Sequence, residues 1–332
     1  MRLRRDDPIE VKSPAQLAIM REAGLVTAAA LRAAAAAVEP GISTAELDAI
    51  AAREISSAGA LPSFKGYHGY PATICASVND QIVHGIPDAA QVLAAGDIIS
   101  IDCGAIVGGW HGDAALTVSV GPVPAAGGRY RPDELDSLLR ACERALWQGL
   151  AQAVPGRRLT DISHAVERAV RAAGRYGIVR EYTGHGIGSQ MHMEPAVPNH
   201  GRAGRGPVLV AGMALAIEPM LVLGEPSTRR LDDGWTVVTA DGSWAAHFEH
   251  TVAITDDGPV VLTADDGGAG GFAALRPGSR AGKPEPAGEP VLAGEPVLAG
   301  EPVLAGEPVL AGLEAAATRQ HVSDALEATD GI

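Results

Sequence analysis

Four carboxylates sit inside segments that otherwise read as buried β-strands, and this limits what the chain can fold into. Asp102 lies in Asp97-Ile98-Ile99-Ser100-Ile101-Asp102-Cys103-Gly104, and Asp113 in the strand-like run Trp110–Val118. Glu218 lies in MALAIEPM (Met213–Met220) and Glu249 in His247–Ile254. A lone carboxylate buried among such neighbours is expensive unless it is paired or metal-bound. His185, in Tyr182-Thr183-Gly184-His185-Gly186-Ile187-Gly188, adds a nitrogen in a stretch where glycines permit close backbone approach. Four acids and an imidazole make a ligand set for Mn, Co, Fe or Zn. With two of the acids bridging, the set suits a pair of cations about 3.5–4 Å apart, a centre that makes hydroxide from water at neutral pH. Taken singly, each residue has an ordinary alternative: solvated acids on an exposed hairpin, a structural histidine, a surface acid on an edge strand. Five together on short strands favour one site.

Local signals set the frame around them. Ser13-Pro14-Ala15-Gln16 is a capping box with proline at the first helical position, opening a helix to about Val38 before Pro40-Gly41. Ser43-Thr44-Ala45-Glu46 opens a second helix to about Ala58. A loop rich in Gly, Tyr and His (Phe64–Pro71) leads into strands up to about Val120. Two more helices follow, at Arg131–Ala153 and at Thr160–Ala173, the latter with Thr160 as its cap, and then strands to about Leu262. Two helices followed by strands, repeated, with Pro-Gly at both helix junctions, predict an internal duplication; the alternative is coincidence of common helix punctuation. A hairpin centred between Val107 and Gly108 sets Asp102 directly opposite Asp113, where like charges repel unless a cation lies between them.

The chain has 332 residues, and the region expected to fold is 9–264, one large domain. Residues 1–8 are expected to be a disordered N-terminus. Residues 265–332 are expected to be a disordered, low-complexity tail, in which Gly288–Ala311 is four tandem copies of GEPVLA. Proline at every sixth position there removes backbone donors and opposes both helix and central strand. A net charge of −14 argues against nucleic acid or an anionic membrane as partner. Three cysteines without metal-ligand spacing (Cys75, Cys103, Cys142) fit a reducing compartment. The charged start has no apolar stretch behind it, and the Ala-rich run Leu25–Val38 is too short and weakly apolar to span a bilayer. These features together predict a cytoplasmic protein. No apolar helix face is left over, so a monomer is expected.

Five segments together resemble the type I methionine aminopeptidases of peptidase family M24. They are GYHGYPATICASVNDQIVHGIPD, GDIISIDCGAIVGGWHGDAALT, TGHGIGSQMHMEPAVPNHG, MALAIEPM and DDGWTVVTADGSWAAHFEHT, and the match runs from about Ile9 to Leu262. The resemblance implies an α+β, pita-bread fold with pseudo-two-fold symmetry. It implies two divalent metal ions (Co, Mn, Fe or Zn). One is held by Asp102 with Asp113 as a bridge, the other by His185 and Glu218, and Glu249 bridges both. It implies a water between the metals as nucleophile, Glu218 as proton acceptor, His192 binding the scissile carbonyl oxygen and His84 near the scissile nitrogen. A methionine pocket would be lined by Tyr67, Tyr70, Cys75 and Trp235, with Phe64 and Met191 beside them. Phe64 and Met191 stand where the best-known enterobacterial pattern has Cys and Phe; both are apolar, and Met suits a thioether substrate. The short spacing from His192 to Glu218 leaves no room for the type II helical insertion, and no zinc-finger extension precedes Ile9, which points to a bacterial type. The implied substrates are nascent polypeptide N-termini at the ribosome, with a small second residue. Two other functions share this pattern. X-Pro peptidases of the same fold carry a separate N-terminal domain, whereas 83 residues precede His84 here. Metal-free relatives that bind ribosomes or histones have substituted ligands, whereas all five are present.

Overall fold

The computed structural model describes residues 9–122 and 128–276. Both capping boxes form: Ser13 with Gln16 opens α1 (Pro14–Ala36), and Ser43 with Glu46 opens α2 (Thr44–Ser57). The third and fourth helices are α3 (Pro132–Leu150) and α4 (Leu159–Ala173). The cap of α4 is Arg158 rather than Thr160. Its backbone N–H donates to the Asp161 carboxylate at 2.9 Å, while the Thr160 hydroxyl donates to the Arg205 carbonyl inside the first turn.

The main sheet has nine strands: β1 (Leu61–Pro62), β2 (Ile74–Val78), β3 (Ile98–Val107), β4 (Trp110–Ser119), β5 (Gly184–Gly186), β6 (Met193–Val197), β7 (Ala214–Ile217), β8 (Glu249–Thr255) and β9 (Gly258–Val261). Its order is β1-β3-β4-β8-β7-β5-β6, with β2 also on β3 and β9 also on β8, every pairing antiparallel. Two smaller three-stranded sheets are formed by Gly177–Ile178, Met220–Val222 and Ala245–His247, and by Gln81–Val83, Thr228–Arg230 and Val237–Thr239.

Strand alternation divides the sheet into a helix side and a site side. Ile99, Ile101 and Cys103 of β3 pack with Leu31, Ala34, Leu47 and Ile55 of α1 and α2. Leu215 and Ile217 of β7 and Val252 and Ile254 of β8 pack with Leu135, Leu138, Leu146, Ile162 and Val166 of α3 and α4. The two helix pairs thus cover two halves of one sheet, as the duplicated pattern leads one to expect. Close approach of α1 to β4 depends on Gly112, because a Cβ there would lie 2.6 Å from the Gly24 nitrogen.

Residues 265–276 depart from the expected boundary at 264. The Asp266 carboxylate accepts from the backbone N–H groups of Gly268 and Gly270, and a short α5 (Ala269–Ala274) sets Phe272 against Trp147 with ring centroids 5.5 Å apart. Arg21 of α1 donates to the carbonyls of Val261, Leu262, Ala264 and Asp265 and fastens this segment to the domain. One aromatic anchor and one Asx turn hold a stretch whose Gly and Ala content reads as tail. The expected disordered segment 1–8 and the repeats at 288–311 lie outside the described residues.

Candidate metal centre

Register alone carries the acids to one place. Asp102 of β3 pairs with Ala115 of β4, and Ala115 pairs with Glu249 of β8, so the two acids lie in one cross-strand row on one face. Asp113 is two residues from Ala115 and shares that face. His185 of β5 pairs with Ala216 of β7, which pairs with Thr251, two residues on from Glu249. Glu218 follows two residues after Ala216, where Pro219 ends the strand. All five therefore project from the site side of one sheet.

The β3–β4 hairpin differs from the sequence expectation. Its centre lies between Gly108 and Gly109, with Val107 opposite Trp110, so Asp113 faces Gly104 and Asp102 faces Ala115. Both loop glycines have positive φ, 55° and 83°, which the favoured two-residue hairpin turn requires. The acids are diagonal rather than directly opposed. Because the offset is two residues and not one, they keep a common face.

Thr251 and Thr117 fix the central strands on either side of the Glu249 row. The Thr251 hydroxyl accepts from the Asp113 N–H at 3.0 Å and donates to the Asp113 carbonyl at 2.8 Å. Thr117 does the same to the backbone of His247, at 2.8 Å in each direction. The Asn199 amide donates to the Glu218 carbonyl at 3.0 Å, and the Cys142 thiol lies 3.1 Å from the Pro219 carbonyl. The glycines flanking His185 serve neighbouring strands rather than a ligand: a Cβ on Gly184 would collide with the Ala216 carbonyl, and one on Gly186 with that of Glu194.

The acids cannot all be charged without a counterion. Burial pushes the Asp102 carboxyl up to about 7. Burial, and then the charges of Glu249 and Asp102, hold Asp113 well above the usual carboxylate range. Glu218 is raised by burial and by Asp102 and Asp113, and Glu249 by burial and by Glu218 and Asp102. Asp102 Oδ1, Asp113 Oδ1 and Glu249 Oε1 are buried with no hydrogen-bond partner. Orphaned oxygens held in mutual repulsion fit a cation between them, and a cation removes both penalties. Ligand atoms of Asp113, His185 and Glu249 lie within 4.8 Å of one another, as do those of Glu218, His247 and Glu249. Glu249 belongs to both groups, while Asp102 stands in neither and lines the same cavity. His185 Nδ1 lies 3.0 Å from the Gly186 carbonyl, so its N–H donates there and the Nε2 lone pair faces Glu218 Oε1 at 3.5 Å. Burial pushes His185 and His84 down to about 4 and His192 down to about 2, so all three are neutral at pH 7.

One cavity of about 700 Å³ is lined by the five expected ligands together with Phe64, Tyr67, Tyr70, Cys75, His84, Met191, His192 and Trp235. Phe64, Tyr70, Ala72, Cys75 and Met191 form an apolar cluster at one end, with Tyr67, Ile86 and Trp235 against it. His192 Nδ1 lies 3.0 Å from the Tyr67 hydroxyl, and the His192 ring is 4.3 Å from that of His185. His84 packs edge-on to Tyr182 and Trp235 and has φ of 61°, a left-handed conformation uncommon for residues other than glycine.

His247 is a member of the cluster that the sequence reading missed. Its signal was parity: two residues before Glu249, it projects to the same face. Strand pairing is interrupted at Phe248, between Ala245–His247 and β8, which obscures that relation.

Comparison with known proteins agrees with this site. The model of metallopeptidase family M24 matches residues 18–256. Methionine aminopeptidase 1 of Mycobacterium tuberculosis (strain CDC 1551 / Oshkosh) is 56% identical over 267 residues, covering 79% of this chain and 97% of the relative. Methionine aminopeptidase 1 of Bacillus subtilis (strain 168) is 48% identical over 252 residues, covering 76% and 98%. The crystal structure of methionine aminopeptidase from Thermotoga maritima superposes with a TM-score of 0.74 at 38% identity, covering 78% of this chain and all of that one. The curled sheet, the two helix pairs and these similarities place the chain in metallopeptidase family M24, among the bacterial type I methionine aminopeptidases with the pita-bread fold.

Proposed function

We propose that this metallo-exopeptidase removes the initiator methionine from nascent chains whose second residue is small, with two divalent ions held by Asp102, Asp113, His185, Glu218 and Glu249. The observation that carries this reading is that one cavity joins the carboxylate cluster to an apolar cluster of Phe64, Tyr70, Cys75, Met191 and Trp235. When bound, the metals supply an activated water and polarise the scissile carbonyl. Their identity falls among Mn, Fe, Co and Zn, which this oxygen-rich set accepts.

The chain's own residues do the rest. The apolar pocket takes an unbranched thioether side chain and removes it from water, while a charged side chain there would lose its hydration. In the tautomer in which Tyr67 O–H donates to His192 Nδ1, the His192 proton sits on Nε2 and is available to the scissile carbonyl oxygen as negative charge develops. His84 is neutral and fixed between Tyr182 and Trp235, placed to hydrogen-bond near the scissile nitrogen. Glu218 takes the proton of the attacking water and returns it to the leaving amine.

Tripeptides test this reading. Met-Ala-Ser and Met-Gly-Ser should be cleaved, with Met-Lys-Ser and Met-Leu-Ser turned over at least about tenfold more slowly, because the second residue lies against the ligand strands where space is short. Rapid cleavage before proline with any first residue would instead identify an X-Pro enzyme.

A further inference from the structure

We infer that His247 is a second imidazole donor to the metal cluster, opposite His185 on the Glu218 carboxylate. The inference rests on the metal-centre reading above and extends its ligand set by one residue.

His247 is 1% exposed, and its Nε2 has no hydrogen-bond partner. That nitrogen lies 3.7 Å from Glu218 Oε2 and 3.8 Å from Glu249 Oε2. Hydrogen bonds to carboxylates close at about 2.7–3.2 Å, so these separations are too long for a direct bond. They match the spacing of ligand atoms around a common cation, about 3–4 Å when each sits about 2.0–2.2 Å from it. His185 Nε2 shows the same relation to the other Glu218 oxygen, at 3.5 Å. The carboxylate of Glu218 is thus flanked on its two oxygens by two imidazole nitrogens, both buried.

The backbone of His247 is fixed independently of any ligand. Thr117 bonds its N–H and its carbonyl, and the preceding Ala246 carbonyl lies 3.4 Å from the Cys142 thiol. The His247 Nε2 faces the Glu218 and Glu249 carboxylates. A core histidine kept only for packing would direct its ring nitrogens to backbone or water, since an unpartnered buried polar atom is costly. Two imidazoles also bias the centre toward Zn, Co and Fe over Mn.

The test is proton NMR of the full chain loaded with Co(II). An imidazole bound to Co(II) through one nitrogen carries its remaining N–H as a hyperfine-shifted, solvent-exchangeable resonance. Two such resonances are expected in the unaltered protein, and one in His247→Gln. One resonance in the unaltered protein, unchanged in His247→Gln, would overturn the inference and leave His247 beside the ligands without bonding the metal. Absence of any shifted resonance after equilibration with Co(II) and dialysis would remove the metal-centre reading and this inference with it. The count in the unaltered protein decides even if the variant folds poorly.

Discussion

At Asp113 and Glu249 a carboxylate oxygen is buried, unpartnered and pressed against other acids, so the charged forms of these side chains tolerate each other only with a cation present. Asp113→Asn and Glu249→Gln should each abolish peptide hydrolysis and lower bound metal, read by elemental analysis of the dialysed protein. Full metal content with lost turnover would assign them another role. His192→Ala should lower kcat by about 10²–10³, the usual cost of one donor to a developing oxyanion, with metal content and Tm unchanged. A purely structural His192 would show the reverse, a lower Tm with normal turnover per folded molecule. The acids were legible in the sequence because carboxylates stand out in apolar strands. His247 was not, because it precedes a break in strand pairing at Phe248 and its relation to Glu249 depends on register.

Among the elements, the helices were read from local chemistry: capping boxes act over four residues, and both formed as expected. The hairpin centre was misplaced by one residue, since Gly104, Gly108 and Gly109 all offer turn chemistry and only pairing decides among them. The boundary near 264 was misread because Phe272 docks through tertiary contact with Trp147, which composition does not reveal. The threonine links between the central strands were also invisible. Thr251→Val leaves both the N–H and the carbonyl of Asp113 without their side-chain partner and should destabilise the protein by about 1–3 kcal/mol. Chemical denaturation would measure it, and an unchanged midpoint would show that β4 and β8 reclose without the hydroxyl. Gly186→Ala should displace His185 by pushing β5 from β6, raising the metal dissociation constant by about tenfold or more. Unaltered metal affinity would mean that the strands absorb the methyl group.

On the scale of the whole molecule, the two halves bring their acids together: Asp102 and Asp113 from the sheet under α1 and α2, Glu218 and Glu249 from the sheet under α3 and α4. Assembly therefore stores repulsion that a cation relieves, and stability without metal depends on pH. The cluster acids have folded pKa values raised above their unfolded ones, Asp102 to about 7 and the others in the same direction. Such groups contribute stability that is present below the unfolded value and is lost as pH rises through the folded one. The buried histidines have depressed values and act oppositely, adding stability as pH rises to about 6.5 and little beyond. Between pH 6.5 and 8 the acids therefore dominate. In chelator the Tm should fall by about 3–5 °C per pH unit for each titrating acid, whereas the metal-loaded protein should show little change. A chelated protein whose Tm is flat or rises over that window would contradict the stored repulsion. Among the described residues, no helix is long and apolar enough to cross a membrane.

The most direct measurement compares Met-Ala-Ser with Leu-Ala-Ser in one preparation, before and after chelation and after readdition of Co(II) or Mn(II). The expected result is turnover only with metal present, and kcat/KM favouring methionine by about tenfold or more, with norleucine within about tenfold of methionine. Equal turnover of the methionine and leucine peptides, or full activity in the chelated protein, would contradict the joining of a two-metal centre to a methionine pocket.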